Sequence, residues 1–155
     1  MNGYFTGKFE FSIDAKGRIA VPAKFRDLIG ENKCFHIIRV PKYRIKILPE
    51  AEWEKKAHVY ANLPETEEFD DYRRIFYYSQ ADSEMDSQGR ITISKKQLEQ
   101  IKYKGGKIAL VGMGKYIEAF CVENEDVKIT NDKEEKDFSQ DYYNIEKKIR
   151  EFEEK

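Results

Sequence analysis

The sequence of 155 residues predicts an α+β fold, mainly β, made of two tandem half-units with short flanking helices. Two observations carry that reading. The motif Asp14-Ala15-Lys16-Gly17-Arg18 recurs as Asp86-Ser87-Gln88-Gly89-Arg90. The likeness continues, because Arg18-Ile19-Ala20-Val21-Pro22 and Arg90-Ile91-Thr92-Ile93-Ser94 share one alternation of apolar and polar residues before a helix start. Around the first motif the apolar residues Phe9, Phe11 and Ile13, then Ile19 and Val21, follow the period of two of a half-buried strand. The implied organisation is a first repeat over 1–64, a connecting helix over 65–78, a second repeat over 79–130, and a charged segment with a terminal helix over 131–155.

Each copy of the motif reads as a strand, a tight turn and a second strand. Gly17 and Gly89 supply positive φ without a Cβ clash, and Asp14 and Asp86 at the turn entries accept hydrogen bonds from backbone N–H groups, so these four residues shape the loops. With Ile19 and Val21 inward, the period of two sends Arg18 and Ala20 outward, and likewise Arg90 and Thr92 beside inward Ile91 and Ile93. Pro22 to Ile29 reads as a short helix, with Pro22 at the first turn, Phe25, Leu28 and Ile29 on one face, and Gly30 as the stop. Strands over Cys34 to Val40 and Arg44 to Leu48 are separated by Pro41-Lys42-Tyr43. A helix begins near Pro49 with Trp53, Ala57 and Tyr60 at helical spacing, and Pro64 ends it; Trp53 reads as a core anchor rather than a base-stacking platform. The acidic stretch Glu65 to Asp71 leads into a further helix with the apolar stripe Phe69, Tyr72 and Phe76.

In the second half, Ser94 with Gln97 fits a capping box for a short helix presenting Leu98 and Ile101. Strands over Lys107 to Val111 and Lys115 to Phe120 are joined by Gly112-Met113-Gly114, the counterpart of the Pro41-Lys42-Tyr43 break and weak evidence for a phosphate site. Beyond Asn124 the sequence is strongly charged and reads as mobile up to Tyr142, after which Ile145, Ile149 and Phe152 mark an amphipathic helix.

Composition narrows the function. The net charge of −1 argues against indiscriminate nucleic-acid binding, yet through Leu48 ten cations face four acids, a balance of +6 that leaves −7 for the remainder. A basic first part and an acidic remainder suit a DNA-facing surface backed by one that repels DNA; lysines scattered over any solvated surface give a similar count. Cys34 and Cys121 sit in apolar, strand-like runs and read as buried free thiols. They combine with His36 and His58 at no spacing that resembles a zinc site, so neither metal nor cofactor is expected. No apolar run has the length of a leader or a membrane span, which points to the cytoplasm. There is no Ser/His/Asp or Cys/His set with supporting context and no convincing carboxylate pair, so an enzyme is not expected.

Phe5-Thr6-Gly7, the first Asp-x-Lys-Gly-Arg motif, Pro22-Ala23-Lys24-Phe25-Arg26 and Val111-Gly112-Met113-Gly114-Lys115-Tyr116-Ile117-Glu118 stand in the order seen in the MraZ family of the AbrB-like group. The chain resembles that family from Phe5 to Phe120. Lys8 stands where the family usually has an acidic residue, Ser94 replaces the proline of the first copy, and Phe120 sits where tryptophan is common; none of these touches the paired turns. The resemblance implies two AbrB-like half-units of the double-split β-barrel type. It also implies a nucleoid-associated transcriptional regulator that closes into a homo-oligomeric ring, an octamer or dodecamer. Such a ring binds short direct repeats in double-stranded promoter DNA upstream of the division and cell-wall gene cluster, its own gene included.

The candidate DNA contacts are Arg18 and Arg90, with Lys16 and Gln88 at matching loop positions. Arginine grips guanine O6 and N7 or a phosphate bidentately, lysine favours phosphate or guanine, and glutamine pairs with adenine, so the first turn is the stronger for anions. A hairpin tip is narrow enough to enter a major groove. Lys24 and Arg26 follow the first turn as further candidate phosphate contacts, or as solvated helix charges. The residues alone leave a second role open for Arg18 and Arg90, internal ion pairs with Asp14 and Asp86. At the level of function the alternatives are a ring scaffold that binds no DNA and an AbrB- or antitoxin-like regulator, a type that commonly carries one motif copy per chain.

Overall fold

The computed structural model describes residues 3–127 and 131–154; residues 1, 2, 128–130 and 155, at the edges of the expected units, lie outside it. The first half supplies β1 (Lys8–Ser12), β2 (Arg18–Ala20), α1 (Ala23–Ile29), β3 (Cys34–Val40), β4 (Arg44–Pro49) and α2 (Glu50–Ala61). After α3 (Glu67–Ser79) come β5 (Ala81–Glu84), β6 (Arg90–Thr92), α4 (Lys95–Gln100), β7 (Lys107–Gly112), β8 (Ile117–Cys121) and the terminal helix α5 (Lys133–Glu153). Eight strands, in a six-stranded sheet and a two-stranded ribbon, and five α-helices among the described residues make this an α+β fold, the class read from the sequence.

The two halves interleave. The large sheet has the order β1-β7-β8-β4-β3-β5, which reads the same from either end once β1 exchanges with β5, β3 with β7 and β4 with β8. A pseudo-twofold axis therefore passes between β4 and β8, where Ile45 pairs with Ala119 and Ile47 with Ile117. The tight turn of each motif forms, but the two strands that flank it do not pair with each other. β1 pairs with β7, β5 with β3, and the short β2 and β6 pair with each other. Alternation tells which face of a strand is buried but not which strand lies beside it, and here each repeat completes the other.

The core lies between ribbon and sheet and draws on both halves: Ile19, Val21, Phe25, Phe35, Ile37, Ile45 and Ile47 from the first, Ile91, Ile93, Ile101, Ile108, Leu110 and Ile117 from the second. The Gly-x-Gly between β7 and β8 has a packing role. Gly112 N donates to Gly7 O at 2.8 Å, and Phe5 and Gly114 exchange backbone hydrogen bonds at 2.7 and 3.0 Å. A Cβ on Gly112 would overlap the backbone of Phe5 and Thr6, so glycine is what lets the N-terminal segment lie across the strand and bury Phe5.

The opposite face of β3 and β4 is covered by helices. Tyr60, Leu63, Phe76, Ile145 and Ile149 form a second cluster among α2, α3 and α5. Trp53 packs there as an anchor, stacked between His36 and Phe76 with ring centroids 4.7 and 4.9 Å away. Arg73 ties α3 to the end of α2, donating to the carbonyls of Tyr60, Leu63 and Pro64 at 3.0–3.2 Å. The terminal helix is longer than the sequence suggests, starting at Lys133 instead of after Tyr142. Asp132 caps it by accepting from Glu134 N at 3.0 Å and Glu135 N at 3.4 Å. Phe138 and Tyr142 extend the apolar stripe toward the sheet, with the Arg39 guanidinium 3.8 Å from the Phe138 ring centroid.

One buried acid closes this arrangement. Glu135 is 1% exposed and reaches the β3–β4 turn, where Lys42 and Tyr43 both have positive φ, 71° and 60°, with no glycine to ease it. Its Oε1 accepts from Lys42 N at 2.7 Å and Tyr43 N at 3.3 Å, and its Oε2 pairs with Arg39 at 2.6 Å. Cys121 is buried as expected, but Cys34 at the start of β3 is only half-buried. Desolvation, then the Glu50 carboxylate, push the Cys34 thiol up to about 11.

Candidate nucleic-acid interface

The two Asp-x-x-Gly-Arg loops have nearly the same geometry. In each, the aspartate Oδ1 accepts from the backbone N–H two and four residues on, at 2.9 Å in all four cases. Gly17 and Gly89 close the turns at φ of 80° and 75°, donating to the carbonyls of Asp14 and Asp86 at 3.0 Å. The loops are then locked to each other's strand exits, with Ile93 N donating to Gly17 O and Val21 N to Gly89 O, both at 2.8 Å. Between them Arg18 pairs with Thr92, Ile19 with Ile91 and Ala20 with Arg90. A ribbon of three residues a side thus presents two turns as one rigid, pseudo-twofold unit.

Ion pairs inside the loops do form. Arg18 Nε donates to Asp14 Oδ2 at 2.6 Å and Arg90 Nε to Asp86 Oδ2 at 2.9 Å, and Arg90 Nη1 also lies 3.9 Å from Asp14 Oδ2. Both arginines are half-buried rather than fully outward, with side-chain exposures of 35% and 27%. In Arg18 the pairing uses the inner nitrogen alone. Among the described residues the two terminal amines of Arg18 have no hydrogen-bond partner, so the guanidinium is oriented by Asp14 while its bidentate edge remains unused. Backbone hydrogen bonds from Arg18 and Arg90 lead in holding the Asp14 and Asp86 carboxyls below their ordinary 3.8, so both are ionised throughout the neutral range.

Lys16 and Gln88 are exposed at the loop tips. Lys24 and Arg26 are exposed on α1, and Arg26 folds toward the second loop: a Cβ built on Gly89 would meet its Nη1 at 2.5 Å. Arg26 therefore lies against the second loop, in the space that a side chain at position 89 would take. Lys24 lies farther along, beside Gly7. The second half offers Lys95 and Lys96, exposed on α4, which the sequence reading passed over. The repeat itself carried the signal, since Lys96 follows the Ser94 cap by the interval at which Lys24 follows Pro22. Ser94 does cap α4, accepting from Gln97 N at 3.2 Å, while Gln97 Nε2 donates to Ile37 O at 2.9 Å from the position that Phe25 fills in the first half.

Likeness to known proteins decides the family. The chain is 34% identical over 116 residues to the transcriptional regulator MraZ of Verminephrobacter eiseniae, spanning 74% of this chain and 80% of that protein. The chain belongs to the MraZ family. The MraZ regulator of Lactobacillus gasseri is 35% identical over 123 residues, 77% of this chain and 82% of its own length. That of Lachnoclostridium phytofermentans reaches 40% over 89 residues, 57% of this chain and 62% of its own. The family profile described as "MraZ protein, putative antitoxin-like" matches residues 4–73, which hold the first loop, β2 and α1. The MraZ proteins it resembles carry the name of regulators, not of enzymes. No helix among the described residues is long and apolar enough to cross a membrane.

One cluster outside this surface escaped the sequence reading. Cys34 and His36, set aside for lack of a zinc-like spacing, lie with Glu50 so that one ligand atom from each falls within 4.8 Å of the others.

Proposed function

We propose that this chain regulates transcription by binding double-stranded promoter DNA through its paired loops. Lys16 and Arg18 in the first loop, and Gln88 and Arg90 in the second, carry the contacts to bases and phosphates. Lys24 and Arg26 add phosphate contacts. Asp14, Gly17, Asp86 and Gly89 hold the loop shape. The observation that carries this reading is the β2–β6 ribbon, which sets two arginines on one pseudo-twofold unit with the Arg18 terminal amines unspent. The internal ion pairs are the second role that the residues alone left open. Because Asp14 engages only Nε of Arg18, it pre-orients that arginine for a bidentate partner as well.

One such unit offers few base-reading side chains, so selectivity in this reading comes from repetition. Copies of the chain form a closed ring, and neighbouring subunits engage short direct repeats upstream of the division and cell-wall genes, the chain's own gene among them. Matching spacing between subunits and repeats raises affinity by on the order of a hundredfold or more over a single contact.

Fluorescence anisotropy with the DNA upstream of its own gene tests this, comparing a fragment with one repeat against a fragment with several across a salt series. The expected result is binding that steepens with repeat number and weakens linearly in log salt. Equal binding to both fragments, or binding indifferent to salt, overturns the proposal in favour of a scaffold that contacts protein.

A further inference from the structure

The group formed by Cys34, His36 and Glu50 lies away from the loops, at the edge where β3 and β5 meet the start of α2. Its parts are fixed by independent means. Cys34 and His36 are two apart on β3 and so share a face, and Glu50 is the first residue of α2, directly after Pro49. The His36 ring is stacked on Trp53 at 4.7 Å and 7° between planes, which holds its orientation. Gln80 Oε1 lies 3.0 Å from Nδ1, and Glu50 Oε2 lies 2.5 Å from Nε2. Cys34 Sγ is 3.8 Å from the same Nε2. Across the β3–β5 ladder Asp82 stands opposite His36 and Glu84 opposite Cys34, on the same face, so the surrounding field is negative.

Both ring nitrogens therefore face acceptor oxygens, whereas a neutral imidazole has one N–H to give. With Nδ1–H given to Gln80, a proton occupies the Nε2–Oε2 contact in the metal-free chain, and that is the place a cation would take. We propose that Cys34 Sγ, His36 Nε2 and Glu50 Oε2 bind a divalent cation of the Zn²⁺ class, with a fourth position left to solvent. Sulfur, imidazole nitrogen and carboxylate oxygen together are a zinc donor set, and the Gln80 contact is the outer hydrogen bond that metal-binding histidines use to set their tautomer. Tetrahedral zinc bonds place nitrogen and oxygen ligands about 3.3 Å apart, so the Nε2–Oε2 pair opens by about 0.8 Å to admit the ion. Binding releases the thiol proton and the proton held in the Nε2–Oε2 contact to solvent. The two anionic ligands then neutralise the dication. The ion joins the edge of the sheet to the start of the helical layer.

Titration of the metal-free full chain with Co²⁺ tests this through the thiolate-to-cobalt charge-transfer band. One equivalent that develops the band and tetrahedral d–d absorption, both bleached by Zn²⁺ and both lost in Cys34→Ser and Glu50→Gln, is the expected result. A wild-type chain that shows no such band overturns the proposal, whatever the variants do. So does a band that survives Cys34→Ser, since that places the metal at Cys121 or at adventitious groups. Thermal unfolding adds a readout independent of spectroscopy: the wild-type midpoint rises with free Zn²⁺, and that of folded Cys34→Ser does not.

Discussion

Replacing Gly17 by alanine is expected to destabilise the chain by about 3 kcal/mol or more and to disrupt the loop unit. Two costs add at this position. Gly17 has φ of 80°, where an L-residue loses roughly 1–2 kcal/mol. A Cβ there would also sit 2.5 Å from the Ile93 carbonyl oxygen, a backbone atom with no side-chain freedom to retreat. Relief requires the Gly17 and Ile93 backbones to separate, which breaks their 2.8 Å hydrogen bond and opens the ribbon that sets the two arginines side by side. Gly106 isolates the conformational part. Its φ of 82° is nearly the same, but nothing lies within 4 Å of a Cβ built on it. Urea unfolding at one protein concentration is expected to show about 1–2 kcal/mol lost in Gly106→Ala and clearly more in Gly17→Ala. Equal losses would mean that the approach of the two loops is not a close one.

Glu135→Ala is expected to cost about 3–5 kcal/mol, the range for removing one partner of a buried pair. Truncation strands the Arg39 guanidinium, whose side chain is only 15% exposed, and removes the acceptor that satisfies the N–H groups of Lys42 and Tyr43. Both of those residues hold left-handed backbone conformations, so the turn loses its support just where it is strained. Glu135→Gln keeps an acceptor for the Lys42 and Tyr43 N–H groups but turns an NH₂ toward Arg39, so it is expected to recover only the turn's share of the loss. The same urea series, read by intrinsic Trp53 fluorescence, measures both, and a loss in Glu135→Ala near that of a surface substitution would show that the clamp carries no energy.

These two residues mark how far the sequence could be read. Local structure was legible because its signals are local: Pro22, Ser94 and Gly30 bound helices, Ile19 and Val21 alternate with Arg18 and Ala20, and the Asp and Gly of each motif make a turn. Strand partners were not. The pattern that buries Ile19 and Ile91 is satisfied equally by a hairpin within each repeat and by the exchange that the chain adopts, and only packing against the shared core chooses between them. The start of α5 was hidden for a different reason. Phe138 and Tyr142 are spaced for a helix, but they stand among charges, and Glu135 counts as solvated in any sequence reading although it is the most buried acid of the described residues.

At the candidate sites the same division holds. The loop residues are contiguous in sequence, so the motif named them. Arg26 reaches the second loop only through the interleaved fold, and Glu50 joins Cys34 and His36 only because α2 starts directly behind β4. The Cys-x-His spacing on one strand did put two donors on one face, but the third had no signature of its own.

If the paired arginines read DNA, fluorescence anisotropy on one promoter fragment separates Arg18→Ala and Arg90→Ala from the terminal-helix control Lys147→Ala. Each variant is first checked for an unchanged oligomeric state and unfolding midpoint. Loss of a bidentate contact is worth about 1–3 kcal/mol, so Arg18→Ala is predicted to weaken binding by about tenfold or more, with Lys147→Ala near wild type. Wild-type affinity in a correctly folded Arg18→Ala, Arg90→Ala double variant would mean that the loops do not read DNA.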